Sequence, residues 1–296
     1  MKRTVFAICV LFAGLGSAGD AVPLKLQMRY RVNVKDDEYE TRMKPQSWKP
    51  SESAIIVCDV WDAHHCLNAV RRLEEMLPRM NEVLSKARSQ GVLIIHAPSS
   101  CMEPYKDHPG RKLAMAAPKA KNLPADIGVW CHKIPAEEKG KYPIDQTDGG
   151  EDDDLHEHAE WHTKLAKMGR NPKAPWKKQH DGITIKDGDA ISDSGVEIWN
   201  LLESRGISNI ILVGVHTNMC VLGRPFGLRQ MAKNGKNVAL MRDMTDTMYN
   251  PKMSPYVSHF KGTELIVEHI EKFVCPTITS DQFLGGMPFR FKGEGS

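Results

Sequence analysis

Asp59, Lys186 and the segment from His216 to Cys220 each follow an apolar run that reads as a buried strand: residues 54–58, 183–185 and 209–213. An acid, a lysine and a thiol brought to one crevice make a coherent nucleophilic set. The thiolate attacks, a nearby ammonium lowers the thiol pKa, and the carboxylate takes the thiol proton and later hands it to a leaving group. Cys220 also stands where a strand is expected to turn into a helix. Backbone N–H groups at a helix start would stabilise negative charge on the sulfur or on an attacked carbonyl oxygen. The plainer readings are a packed thiol for Cys220, a helix N-cap for Asp59 and a solvated turn residue for Lys186. Lys177 and Lys178, after Trp176, are a second source of the cation.

Other polar residues weigh less. His96 either lines the same pocket or ends its strand as a satisfied polar group, and Asp243 also follows a strand. Arg224, one turn beyond Cys220, reads as a partner for a substrate carboxylate or as a surface ion pair. His156, His158 and His162 lie beside Asp152, Asp153 and Asp154, and His158 and His162 at i, i+4 share a helix face, which is a ligand spacing. The residues between them are Ala159, Glu160 and Trp161, so the H-E-x-x-H pattern is absent and a solvated acidic stretch is favoured. No metal and no cofactor are expected.

The elements that must position these side chains alternate. The string Ala54-Ile55-Ile56-Val57-Cys58 suits a strand covered on both faces. A helical stripe follows at Leu67, Val70, Leu73, Leu77, Met80, Leu84 and Ala87, with a kink or break expected at Pro78, and Gly91 stops it before a strand at 92–95. A second series starts with a short strand at 183–185. Ser194-Gly195-Val196-Glu197 reads as a capping box, opening a helix that ends near Gly206. A strand at 209–213, a helix from Cys220 to about Lys233, a strand at 238–241, a helix at 264–274 and a last strand at 277–279 complete it. This pattern predicts an α/β fold: a doubly wound, mainly parallel sheet with helices on both faces. Residues 103–181, with eight prolines and little periodicity, form a long irregular insertion that is either a lid or a small subdomain.

The string Gly214-Val215-His216-Thr217-Asn218-Met219-Cys220-Val221 resembles the G-V-x-T-[ND]-x-C-V signature of the isochorismatase-like cysteine hydrolases, and Ile56-Val57-Cys58-Asp59 is similar to that family's first strand and acid. The resemblance spans roughly 53–102 and 183–280. It implies Asp59 as general acid/base, Cys220 as nucleophile, and the backbone amides of His216 and Cys220 as oxyanion hole, with a cis peptide between Val215 and His216. Lys186, 34 residues before Cys220, stands near the family's lysine position, although its K-x-x-x-S-[AF]-F context is not met here. The metal-binding D-x-H of the nicotinamidases is absent after residue 96, where Ala97-Pro98-Ser99 stands. The resemblance implies hydrolysis of a C–N bond in a small amide-type substrate. A vinyl-ether hydrolase of the isochorismatase type, or a noncatalytic binding protein on the same scaffold, are the alternatives.

The whole chain fits this reading. It has 296 residues, with 40 Lys+Arg against 37 Asp+Glu and a net charge of +3, which gives no basic excess for nucleic acid. Residues 1–18 carry Lys2 and Arg3, a short apolar run and small residues before a cut after Ala18 or Ala21, the layout of an export signal. Domain bounds are then a leader at 1–18, an N-terminal extension at 19–52, the hydrolase-like domain at 53–280 and a tail at 281–296. Export to the periplasm or the exterior is expected, with no membrane contact after leader removal, a small molecule as partner and a homo-oligomer open. Six cysteines remain in the mature chain, and their pairing is not readable from spacing.

Overall fold

The apolar run at 54–58 is the middle of a sheet. In a computed structural model describing residues 22–294, the strands are β1 (Leu24–Lys35), β2 (Glu38–Trp48), β3 (Ser53–Cys58), β4 (Leu93–Ala97), β5 (Ala190–Ile191), β6 (Asn209–Val215), β7 (Asn237–Asp246) and β8 (Thr277–Ile278). The leader expected at 1–18 lies outside the described residues. Sheet order is β2-β1-β8-β7-β6-β3-β4-β5; all pairs from β8 to β5 are parallel, and β1 is antiparallel to both β2 and β8. The fold is the expected doubly wound, mainly parallel α/β sheet.

Every residue of β3, β4 and β6 is buried, because helices cover both faces. On one face α1 (Leu67–Gln90) sets Leu73, Met76, Met80 and Leu84 against Ile55, Val57, Ile211 and Val213, and α7 (Asp281–Leu284) adds Phe283. On the other, α4 (Gly195–Ser204), α5 (Leu228–Lys233) and α6 (His259–Phe273) pack against Ala54, Ile56, Ile210 and Leu212. The chain leaves β3 for β4 on one side, while β6 pairs with β3 on the other. That reversal makes the carboxyl ends of β3 and β6 the switch point of the sheet, the place where open α/β sheets bind ligands.

Several expectations are corrected. Residues 183–185 form no strand, and the sheet edge is instead Ala190–Ile191. The backbone of the earlier segment is occupied by side chains of α1, with Asn81 bonding Gly182 O and Thr184 N and Arg88 bonding Thr184 O. Helix α1 runs unbroken through Pro78, which lies on its exposed side. The 19–52 extension supplies the β1–β2 hairpin, whose Leu24, Leu26, Met28 and Trp48 join the core. Within 103–181 the regular pieces are short turns, α2 (Pro109–Met115) and α3 (Leu155–Lys167).

Candidate active site

Asp59 is the first residue past β3 and is fully buried. Its φ of +47° turns the chain sharply out of the sheet, a conformation that Asp adopts more readily than most residues. Its N–H still bonds Ala97 O at 3.0 Å, so the carboxylate is carried on the end of the sheet. Oδ1 accepts from the Ser99 N–H at 2.7 Å, and Oδ2 accepts from Arg224 Nε at 2.9 Å.

Cys220 comes from the end of β6, and the expected helix is not what carries it. After the cis peptide between Val215 and His216, residues Thr217–Val221 form a π turn in which the Val221 N–H bonds His216 O at 3.1 Å. Leu222 and Gly223 continue it as α-helix, the chain then breaks at 224–227, and α5 begins at Leu228. The turn is pinned from outside. Thr217 Oγ1 lies 2.7 Å from Thr245 Oγ1 and donates to Asp246 O at 2.9 Å; Asn218 Nδ2 donates to Gln146 Oε1 and Met248 O, and Asn218 Oδ1 accepts from the Met248 N–H. The Thr and Asn of the sequence string are therefore the clamps of the turn. Gly214 lets β6 approach β3 closely: its φ is +106°, and a Cβ there would stand 2.0 Å from Cys58 O.

The cation beside these groups is Arg224. Lys186 is exposed and sits at the start of β5, whereas Asp59 lies past the carboxyl end of β3; its own backbone N–H goes to Asp189. With no strand at 183–185, no element delivers Lys186 to the switch point. Lys177 and Lys178 donate their backbone N–H groups to Asp62, and their ammonium groups go to Gly169 O and Asp181. Arg224 was legible through its spacing: at i+4 from Cys220, with its N–H on Cys220 O, it faces the same side.

Burial pushes the Cys220 thiol well above its ordinary range, and the neighbouring Asp59 adds to the rise while Arg224 opposes it. Burial also raises the Asp59 carboxyl, against the pull of Arg224 and Ser99. The resting sulfur is a protonated thiol beside a carboxylate with heightened proton affinity.

Aromatic rings flank the site. Arg224 lies over Trp130 at 5.4 Å, Trp61 stacks on Trp176 at 4.6 Å, and the His64 ring is 4.7 Å from that of His216. Burial holds both His64 and His216 below the usual histidine range, His216 down to about 3, so both rings are neutral. The insertion reaches the site from two directions: Trp61 bridges to Gln179, and Tyr142 and Gln146 touch Asn218. His96 is a buried structural group, bonded to Gln179 and Asp189, and Asp243 holds Ser280 and the Phe289 N–H.

The acidic stretch is not a solvated face. Asp152 receives Arg72 at 2.7 Å and lies 3.2 Å from His259; Asp153 accepts the N–H groups of Leu67 and Asn68 at the start of α1. A cavity of about 410 Å³ lies behind the Cys220 turn, lined by Trp130, Tyr142, Asn218, Met219, Arg229 and His269 among others. Neither Asp59 nor Cys220 lines it. All six described cysteines are free and buried.

Fold and site together define a doubly wound α/β protein with a buried thiol and carboxylate, and a half-buried arginine beside them, at its switch point. No family model and no curated protein matches the chain. Solved structures to which it is similar include a cysteine hydrolase from Pseudomonas syringae pv. phaseolicola 1448A, at 15% identity and TM-score 0.45 over 79% of this chain and 91% of that one. An isochorismatase from Pseudomonas putida KT2440 follows at 12% and 0.44, over 78% and 89%. The nicotinamidase of Staphylococcus aureus gives 12% and 0.36, over 74% and 92%. These similarities are too low to carry chemistry, which is read from this chain's own side chains.

Proposed function

We propose that the protein is a cysteine hydrolase that cleaves the C–N bond of a small amide-type substrate. Asp59 takes the Cys220 proton as the sulfur attacks the carbonyl carbon, and the oxyanion is held by the backbone N–H groups of His216 and Cys220. The C–N bond then breaks and the departing nitrogen takes the proton from Asp59. Water attacks the acyl-sulfur bond with Asp59 again as base; the acid leaves and the proton returns to Cys220. Arg224 favours the ionised form of Asp59 between steps and stabilises the negative charge that develops at the sulfur. The leader layout supports an exported enzyme.

The observation that carries this reading is the buried Asp59 carboxylate, ion-paired to Arg224, beside a buried thiol on a clamped turn. Release of ammonia or amine from a panel of small amides is the test. Cys220→Ser and Asp59→Asn are each expected to lower kcat/KM on the order of 1,000-fold or more. Turnover that survives either substitution would remove the mechanism, and a protein inert on every amide offered would favour the noncatalytic alternative.

A further inference from the structure

One end of the sheet is the 11-residue strand β2, and among the described residues nothing pairs with its outer side. Residues 40–45 of it are all exposed. A long free edge is a template for another strand, and proteins blunt such edges with prolines, lysines or bulges. Here Lys44 and Pro45 stand toward the buried Trp48 end, and the outer half of β2 is left open.

The direction of the free backbone groups is set by β1. Gln27 gives its N–H to Gln282 Oε1 at 2.8 Å, and its carbonyl accepts from Gln282 Nε2 at 3.2 Å, so both groups point away from β2. Gln27 stands opposite Pro45, which makes that pair a non-hydrogen-bonded one. By the alternation of an antiparallel ladder, the pairs of Arg29 with Met43, Arg31 with Thr41 and Asn33 with Tyr39 are of the same kind. Tyr39, Thr41 and Met43 therefore aim their N–H and C=O groups outward, and Pro45, with no N–H, ends the row.

We propose that β2 pairs with β2 of a second copy of this chain, antiparallel about a two-fold axis at Thr41, so that two sheets join into one. Outward groups must face outward groups, which restricts the pairing to odd-numbered residues opposite odd-numbered ones. With the axis at Thr41, Tyr39 faces Met43 of the second copy and Thr41 faces its own counterpart, each pair exchanging two backbone hydrogen bonds. Between them Glu40 faces Arg42 and Glu38 faces Lys44, opposite charges directly across. Within one chain Glu40 and Arg42 are already ion-paired along the same face, so the two bridges close into a network of four charges. On the other face Met43, 52% exposed, meets the ring of Tyr39, which Phe273 and Lys272 hold in place.

The neighbouring registers all set like charges across the axis. Centring on Glu40 opposes Glu40 to itself, and centring on Arg42 opposes Arg42 to itself. Centring on Tyr39 sets Glu38 against Glu40, and centring on Met43 sets Arg42 against Lys44. The charge pattern selects one register, and in that register the strand complements itself, as a closed two-fold interface requires.

Sedimentation equilibrium and light scattering of the purified protein test this. A dimer that dissociates on dilution is expected. Thr41→Pro removes an N–H that β1 does not use, and should give a monomer with an unchanged circular dichroism spectrum. Glu40→Arg and Arg42→Glu should each weaken the dimer on the order of 10-fold, because each sets like charges across the axis. Mixed in equal amounts, these two variants should recover dimers of mixed composition, since every facing pair between them is then of opposite sign. This rescue carries the test if Thr41→Pro fails to fold. A protein monomeric at every concentration, a dimer that survives in folded Thr41→Pro, or charge reversals that neither weaken the dimer nor rescue one another would overturn the proposal.

Discussion

Arg224, and not Lys186, is ion-paired to Asp59, and a pair of substitutions tests whether it is the cation of the proposed mechanism. Arg224 opposes the rise of the Asp59 carboxyl, so Arg224→Ala should let that carboxyl hold its proton to higher pH. The acid limb of the kcat/KM profile should move upward, and activity at pH 7 should fall on the order of 100-fold. Arg224→Lys, which keeps the charge but loses the planar fork, should recover only part of it. Lys186→Ala should stay within about twofold of the parent, as exposed substitutions do. Equal losses from Lys186→Ala and Arg224→Ala would contradict the placement. Asp59 and Cys220 were legible because each follows a central strand at its carboxyl end. Lys186 was misplaced because three alternating residues at 183–185 cannot be told from a strand until their backbone partners are known.

The element that matters most is the turn from Gly214 to Val221. A continuous helix from Cys220 was the natural expectation, since apolar residues recur through Met231. The structure replaces its first turn with a π turn, because Thr217 and Asn218 bond outward to β7 and the insertion rather than inward. Asn218→Ala removes three partly or wholly buried hydrogen bonds and should lower kcat more than it raises KM, with a stability loss of about 1–3 kcal/mol in urea unfolding. Gly214→Ala should be worse. Its Cβ would meet the Cys58 carbonyl at a position where φ is +106°, so a loss of several degrees in Tm together with loss of activity is expected, and a stable, active Gly214→Ala protein would show that β6 tolerates displacement.

Across the whole molecule, the site rests on a charge network that joins α1, β7, α6 and the insertion. Asp246 accepts from Arg72 Nε and lies 2.8 Å from His259 Nε2, while Asp152 bridges the same two cations. Burial lowers the proton affinity of His259, but Asp246 and Asp152 outweigh it and hold the ring at about 9. A histidine raised in the folded state contributes stability that is complete below its ordinary pKa near 6.5 and is lost as pH rises through about 9. Thermal unfolding should therefore show Tm falling between these values, and His259→Asn should flatten that slope while costing about 3 kcal/mol at pH 6. A slope unchanged in His259→Asn would mean another group titrates. None of these partners neighbours another in sequence; only the closed fold gives Asp152 a role other than solvated charge.

What the sequence by itself determined was the alternation of buried strands and helices, and with it the sheet and the two positions, Asp59 and Cys220, that such a sheet delivers to its switch point. Those are consequences of apolar periodicity and strand ends, which are local. What only the tertiary structure decided was the cation paired with Asp59, the clamped turn, the β1–β2 hairpin closing one side of the sheet, and the pairing of His65 with Glu151. Each of these depends on contacts between segments far apart in the chain, where a side chain's partner is set by packing and not by its neighbours in sequence.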